Sequence, residues 1–149
     1  MKKIIIIGAG AMGSAFAVPC VENKNDVTVI GTHLENDLIA NIQSNNQIHP
    51  TLKTQLPKEI RFENFEKLNN ILEQQIDIIV CGVSSVGIEW FVKQISKSYK
   101  KNLPIILLTK GLSILENNLT TLSDKIINLL KKDGHLDINI SAIKGPCLA

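Results

Sequence analysis

At 149 residues, 44% hydrophobic and 20% charged, the chain has the length of a single domain and enough apolar side chains to bury a core without disulfides or metals. Its 16 basic and 14 acidic residues are spread along the sequence and leave a net charge of +2, which excludes the electrostatic footprint of a nucleic-acid or anionic-membrane partner. Cys20, Cys81 and Cys147 are odd in number and far apart, so they make neither a disulfide framework nor a metal site and fit a reducing, cytoplasmic setting.

Lys3–Ile7, four isoleucines behind a lysine, reads as a buried strand. The glycines that follow interrupt the apolar run too early for a secretion signal, and no later window approaches the ~20 apolar residues of a membrane span. Gly8, Gly10 and Gly13 have the spacing G-x-G-x-x-G, which carries meaning only where a strand precedes and a helix follows. Both conditions hold, because a helix is expected over Met12–Asn23 and the chain returns to a second strand at Val27–Gly31. In such a unit Gly8 makes the tight turn, Gly10 lets the backbone approach a pyrophosphate, and Gly13 lets helix and strand pack closely. The helix start offers unpaired N–H groups to that diphosphate. The residues are therefore read as a cradle for NADP or NAD. At the end of the second strand stand Gly31, Thr32 and His33, with no acid to bond the adenosine ribose. Thr32 and His33 can donate to a phosphate, which favours NADP. Glu35 lies two residues beyond His33 and could still reach around to the ribose, and a loop histidine is as readily a solvated one.

Further helices are expected at Leu34–Asn45, Val86–Lys97 and Asn118–Lys132, the last with Leu119, Leu122, Ile126, Leu129 and Leu130 on one face. Further strands are expected at Ile60–Phe62, Asp77–Gly82, Pro104–Leu108 and Ile138–Ile143. Runs such as "DIIVCG" and "PIILL" are apolar on both faces, as strands covered from both sides must be. Six strands alternating with four helices predict an α/β fold: a Rossmann-type doubly wound, mostly parallel sheet with helices on both faces, filling residues 1–149 as one dinucleotide-binding domain. Gln47–Glu73 contains a short strand whose neighbours the pattern does not place. Lys110 follows a buried strand directly, at the carboxyl edge where open α/β sheets bind ligands. It is a phosphate-holding cation or a solvated loop charge. Cys147, after the Gly145–Pro146 turn, has no identifiable base partner and reads as packing rather than nucleophile.

Taken in order, "GAGAMGSAFA", "HPTLKTQLPKEIRF", "CGVSSVGIEWF", "TKGL" and "KGPCLA" resemble the NAD(P)-dependent glycerol-3-phosphate dehydrogenases over essentially the whole chain. The resemblance implies reduction of dihydroxyacetone phosphate to sn-glycerol 3-phosphate, for phospholipid synthesis, by a cytoplasmic enzyme that is a homodimer in its full-length form. It places Ala9, Ala11, Met12, Thr32, His33, Val83 and Ala149 with the three glycines at cofactor contacts. It places Lys110 against both cofactor and substrate, and Gly145 and Cys147 in the substrate loop. Cys147 stands where the family commonly has serine, and Ser84 where it commonly has proline. The family's catalytic lysine belongs to a following helical domain, so these 149 residues are expected to bind dinucleotide without turning over. Ketopantoate and pyrroline-carboxylate reductases share the glycine loop but would not be expected to pair "TKGL" with "KGPCLA". A non-catalytic dinucleotide-binding module is the third reading.

Overall fold

The computed structural model describes residues 1–100 and 102–143. Strand β1 (Lys3–Ile7) is followed by helix α1 (Ala11–Glu22), strand β2 (Asp26–Ile30) and helix α2 (Asn36–Ser44). A small antiparallel pair, β3 (Ile48–His49) and β4 (Thr54–Gln55), precedes β5 (Arg61–Glu63), the short helix α3 (Leu68–Leu72), β6 (Ile78–Cys81) and α4 (Ile88–Ile95). After β7 (Ile105–Leu107) come β8 (Leu112–Leu115), β9 (Asn118–Thr121), α5 (Leu122–Lys132) and β10 (Ile140–Ala142).

Six strands form one sheet in the order β10-β7-β6-β1-β2-β5, and every pairing in it is parallel. Counted within the sheet, the chain runs outward to one edge through its first three strands, then crosses back to β6 beside β1. That reversal is the dinucleotide-fold order, and it opens a crevice between the carboxyl ends of β1 and β6.

The four isoleucines show why the sheet is covered on both faces. Ile5 and Ile7 join one core with Ile79, Ile105 and Leu107, against Leu68, Leu72, Phe91, Ile126 and Leu130. Ile4 and Ile6 join the other with Val27, Val29 and Val80, against Ala17, Ile39, Ile42 and Ile60. Successive side chains of a strand point to opposite faces, so a strand apolar at every position needs helices on both sides.

The helix expected over Asn118–Lys132 begins only at Leu122. Asn118–Thr121 pairs with Leu112–Leu115 as a hairpin, with Glu116 and Asn117 alone between the strands, both at positive φ. Two such residues make the hairpin turn whose twist matches that of its strands. Thr121 ends the hairpin and caps α5, its hydroxyl accepting from the Asp124 N–H. Leu119 is consequently 73% exposed and forms no part of the helix's apolar face. In the stretch 47–73 the strand expected at Ile60–Phe62 is β5, and the neighbours that pattern left unplaced are β3, β4 and α3.

Candidate functional site

The glycine loop is fixed by contacts that only glycine tolerates. Gly8 has φ +109°, and a Cβ there would lie 2.7 Å from the Gly82 carbonyl carbon. A Cβ on Gly13 would lie 2.1 Å from the Gly8 oxygen. Gly10 differs from both, because a Cβ there would meet nothing nearer than Glu35 Oε1 at 3.7 Å. The fold itself makes no steric demand for glycine at position 10, which opens onto free space.

Between them Ala9 is held by three groups. Its N–H donates to Glu35 Oε2 (3.1 Å), and its carbonyl accepts from the Ser14 hydroxyl (2.8 Å) and from His49 Nε2 (3.0 Å). His49 is fully buried, and its Nδ1 accepts from the Thr51 and Leu52 N–H groups (3.2 Å each), so its proton sits on Nε2. Ala9 is thereby turned inward, and the following residues face the crevice. Gly10 is the N-cap of α1, with no side-chain cap and no acid in the first turn. The amide groups at that helix start remain for an anion.

The opposite wall comes from β6 and β7. The Thr109 hydroxyl donates to the Val83 carbonyl (2.6 Å), and the Leu108 N–H donates to the Cys81 carbonyl (3.0 Å), tying the two strand ends together. Lys110 follows, exposed, with no carboxylate paired to it among the described residues. Behind the wall the Cys81 thiol is pushed up to about 12 by burial, against weaker opposing hydrogen bonds from Thr109 and the Val83 backbone.

These walls enclose an open cavity of about 750 Å³. That volume lies within the range of small-molecule sites. Gly10, Ala11, Met12, Thr32, His33, Val83 and Lys110 line it. Gly8, Ala9 and Gly13 shape the loop from behind, and Gly145, Cys147 and Ala149 lie outside the described residues. Glu35, the acid left open from two residues beyond His33, does reach back: its Oε2 also accepts from the Thr32 N–H (2.7 Å), putting a carboxylate at the strand edge. Two other contributors escaped the sequence pattern. Trp90 lines the cavity in an aromatic group with His33 (centroids 5.3 Å apart), and Phe65 packs on Trp90 (5.5 Å) outside the cavity lining. His49 supports the loop from 40 residues away; its only signal was a histidine beside a proline. The chain's single tryptophan was the signal for Trp90.

Among the described residues no helix is long and apolar enough to cross a membrane, and no three His, Cys, Asp or Glu residues converge as for a metal.

Residues 3–149 match the family model for the NAD-dependent glycerol-3-phosphate dehydrogenase N-terminus. The NADP(+)-dependent glycerol-3-phosphate dehydrogenase of Archaeoglobus fulgidus is 34% identical over 98% of this chain, and the glycerol-3-phosphate dehydrogenase [NAD(P)+] of Mesoplasma florum is 35% identical over 99%. The match covers 42% of each of those proteins, so the chain spans less than half the length of its relatives. In structure it resembles glycerol-3-phosphate dehydrogenase from Coxiella burnetii, with a TM-score of 0.75 at 17% identity over 99% of this chain and 42% of that one.

Proposed function

Because the chain belongs to the NAD-dependent glycerol-3-phosphate dehydrogenase family, of which it carries the N-terminal dinucleotide-binding part, we propose that its crevice serves the interconversion of dihydroxyacetone phosphate and sn-glycerol 3-phosphate. The observation that carries this reading is the contrast among the glycines. Gly8 and Gly13 are required by the fold, whereas Gly10 faces open space at an uncapped helix start. A dinucleotide fits there on three counts: the amides at the start of α1 suit a diphosphate, the cavity has the volume, and the neighbouring Trp90 and His33 rings in its lining suit an aromatic base. The nicotinamide, when bound, supplies the hydride.

The chain's own residues bind and orient. Ala11 and Met12 present the helix amides, with Gly10 clearing the approach. Val83 and the tied ends of β6 and β7 close one side, and their burial keeps that side dry. Lys110 brings a positive charge toward a phosphorylated substrate; Gly145 and Cys147, outside the described residues, are assigned to substrate by the family resemblance alone. The acid–base group for the carbonyl oxygen is assigned to the part of the family's length that these residues do not span. Cysteines few, odd in number and widely spaced support a cytoplasmic setting, and the balanced charge supports a small molecule over nucleic acid or membrane.

The test is calorimetric titration of the 149-residue chain with NADH and NADPH. At least one binds, and Gly10→Val abolishes binding of either while the melting temperature is retained. The backbone at Gly10, φ −60° and ψ 176°, accepts any side chain, so a lost ligand is not a lost fold. Normal binding by the valine variant would refute the placement.

A further inference from the structure

We infer that Glu35 is the residue that selects the dinucleotide, and that it selects NAD(H) over NADP(H). The inference rests on the reading of the crevice as a dinucleotide site and deepens it. In this fold the adenosine ribose lies between the glycine loop and the end of β2, and an acid there accepts hydrogen bonds from the ribose hydroxyls. Such an acid ordinarily sits at the strand end. Here the strand ends in Gly31 and Thr32, and the acid comes from the start of α2 instead.

The chain after β2 turns back on itself, with the Glu35 N–H donating to the Thr32 carbonyl (2.9 Å). That turn returns the Glu35 side chain to the strand end, where Oε2 accepts from the Thr32 N–H (2.7 Å) and, across the gap, from the Ala9 N–H (3.1 Å). Two backbone donors on two different elements hold one carboxylate oxygen. The other oxygen, Oε1, borders the cavity beside Gly10. It is an acceptor set where a ribose 2′-hydroxyl can donate to it. A 2′-phosphate at that place would bring its negative charge against the carboxylate.

One donor that could have held a 2′-phosphate is already engaged, since the Thr32 N–H is bonded to Glu35. The exposed His33 ring stacks beside Trp90 and Phe65 at 5.3 and 6.1 Å, and any phosphate it met would still lie against the Glu35 carboxylate. Lys110, the cation lining the cavity, follows β7, on the far side of β1 and β6 from the β2 edge. The preference for NADP expected from an absent acid is therefore reversed by one that arrives from four residues beyond Gly31.

The experiment measures Kd for NADH, NADPH, 5′-AMP and 2′,5′-ADP with the wild-type chain, Glu35→Gln and Glu35→Asp. NADH should bind the wild type at least tenfold more tightly than NADPH, and 5′-AMP more tightly than 2′,5′-ADP. In Glu35→Gln the NADPH affinity should rise by tenfold or more; in Glu35→Asp, which keeps the charge, the preference for NADH should persist. Equal or tighter wild-type binding of NADPH overturns the inference and leaves the dinucleotide reading standing. The wild-type ratio alone decides this if a variant fails to fold. No binding of any of the four overturns the dinucleotide reading, and this inference with it.

Discussion

Cys81 shows at single-residue scale how the crevice is backed by chemically quiet groups. Its thiol is fully buried, and burial holds the thiolate far out of reach at neutral pH. Cys20 is raised by burial as well, though only part of it is covered. Alkylation under native conditions should therefore leave Cys81 unmodified and label it only after denaturant is added. Mass spectrometry of the Cys81 peptide reads the outcome, and rapid native labelling would contradict it. The glycine motif was legible at this scale because Gly8 and Gly13 answer short-range steric demands. Glu35 was legible only as an open alternative, since the spacing describes acids on the strand and this one arrives through a turn.

At the scale of elements, the strands of the main sheet were legible because a strand buried on both faces leaves an unmistakable apolar run. The hairpin of β8 and β9 was not. Its residues Leu112, Ile114 and Leu119 are exposed apolar side chains, and Leu119 falls in phase with the helix that follows, so periodicity alone fuses the two elements. What separates them is the chemistry of Thr121 and of the Glu116–Asn117 turn. The Thr121 hydroxyl also donates to Asp124 Oδ2 (2.7 Å), so the cap is reciprocal. Thr121→Ala should cost about 1 kcal/mol. A domain of this size should then melt about 2–4 °C lower. Thermal denaturation followed by circular dichroism checks this, and an unchanged midpoint would show that α5 does not depend on the cap. The small pair of β3 and β4 was invisible to pattern for another reason, since four residues in all carry no period.

For the molecule as a whole, Asp77 links the first strand to the central part of the sheet. Its Oδ2 accepts from the Lys3 N–H (2.7 Å) and its Oδ1 pairs with the Lys2 ammonium (3.1 Å). The backbone hydrogen bond from Lys3, first, and the Lys2 side chain hold its carboxyl below the ordinary value of 3.8. A carboxyl depressed in the folded state stabilises fully above its unfolded value, and that stability is lost as pH falls through the folded one. Wild-type melting should therefore drop as pH falls through and below about 4. In Asp77→Asn part of that acid slope should vanish and the midpoint near neutrality should be lower; an identical slope in both proteins would show that Asp77 does not link folding to protons. The doubly wound parallel sheet followed from alternation of element types, whereas the crevice's finer walls depend on side chains that meet from distant parts of the chain. Ala9 is where three of those parts converge, on Glu35, Ser14 and His49. Its peptide groups are spent on the protein before any ligand arrives. A loop already ordered has little conformational entropy left to surrender on binding. The glycines that make this segment permissive as a sequence thus end as one of the least adaptable parts of the folded chain, a mould rather than a hinge.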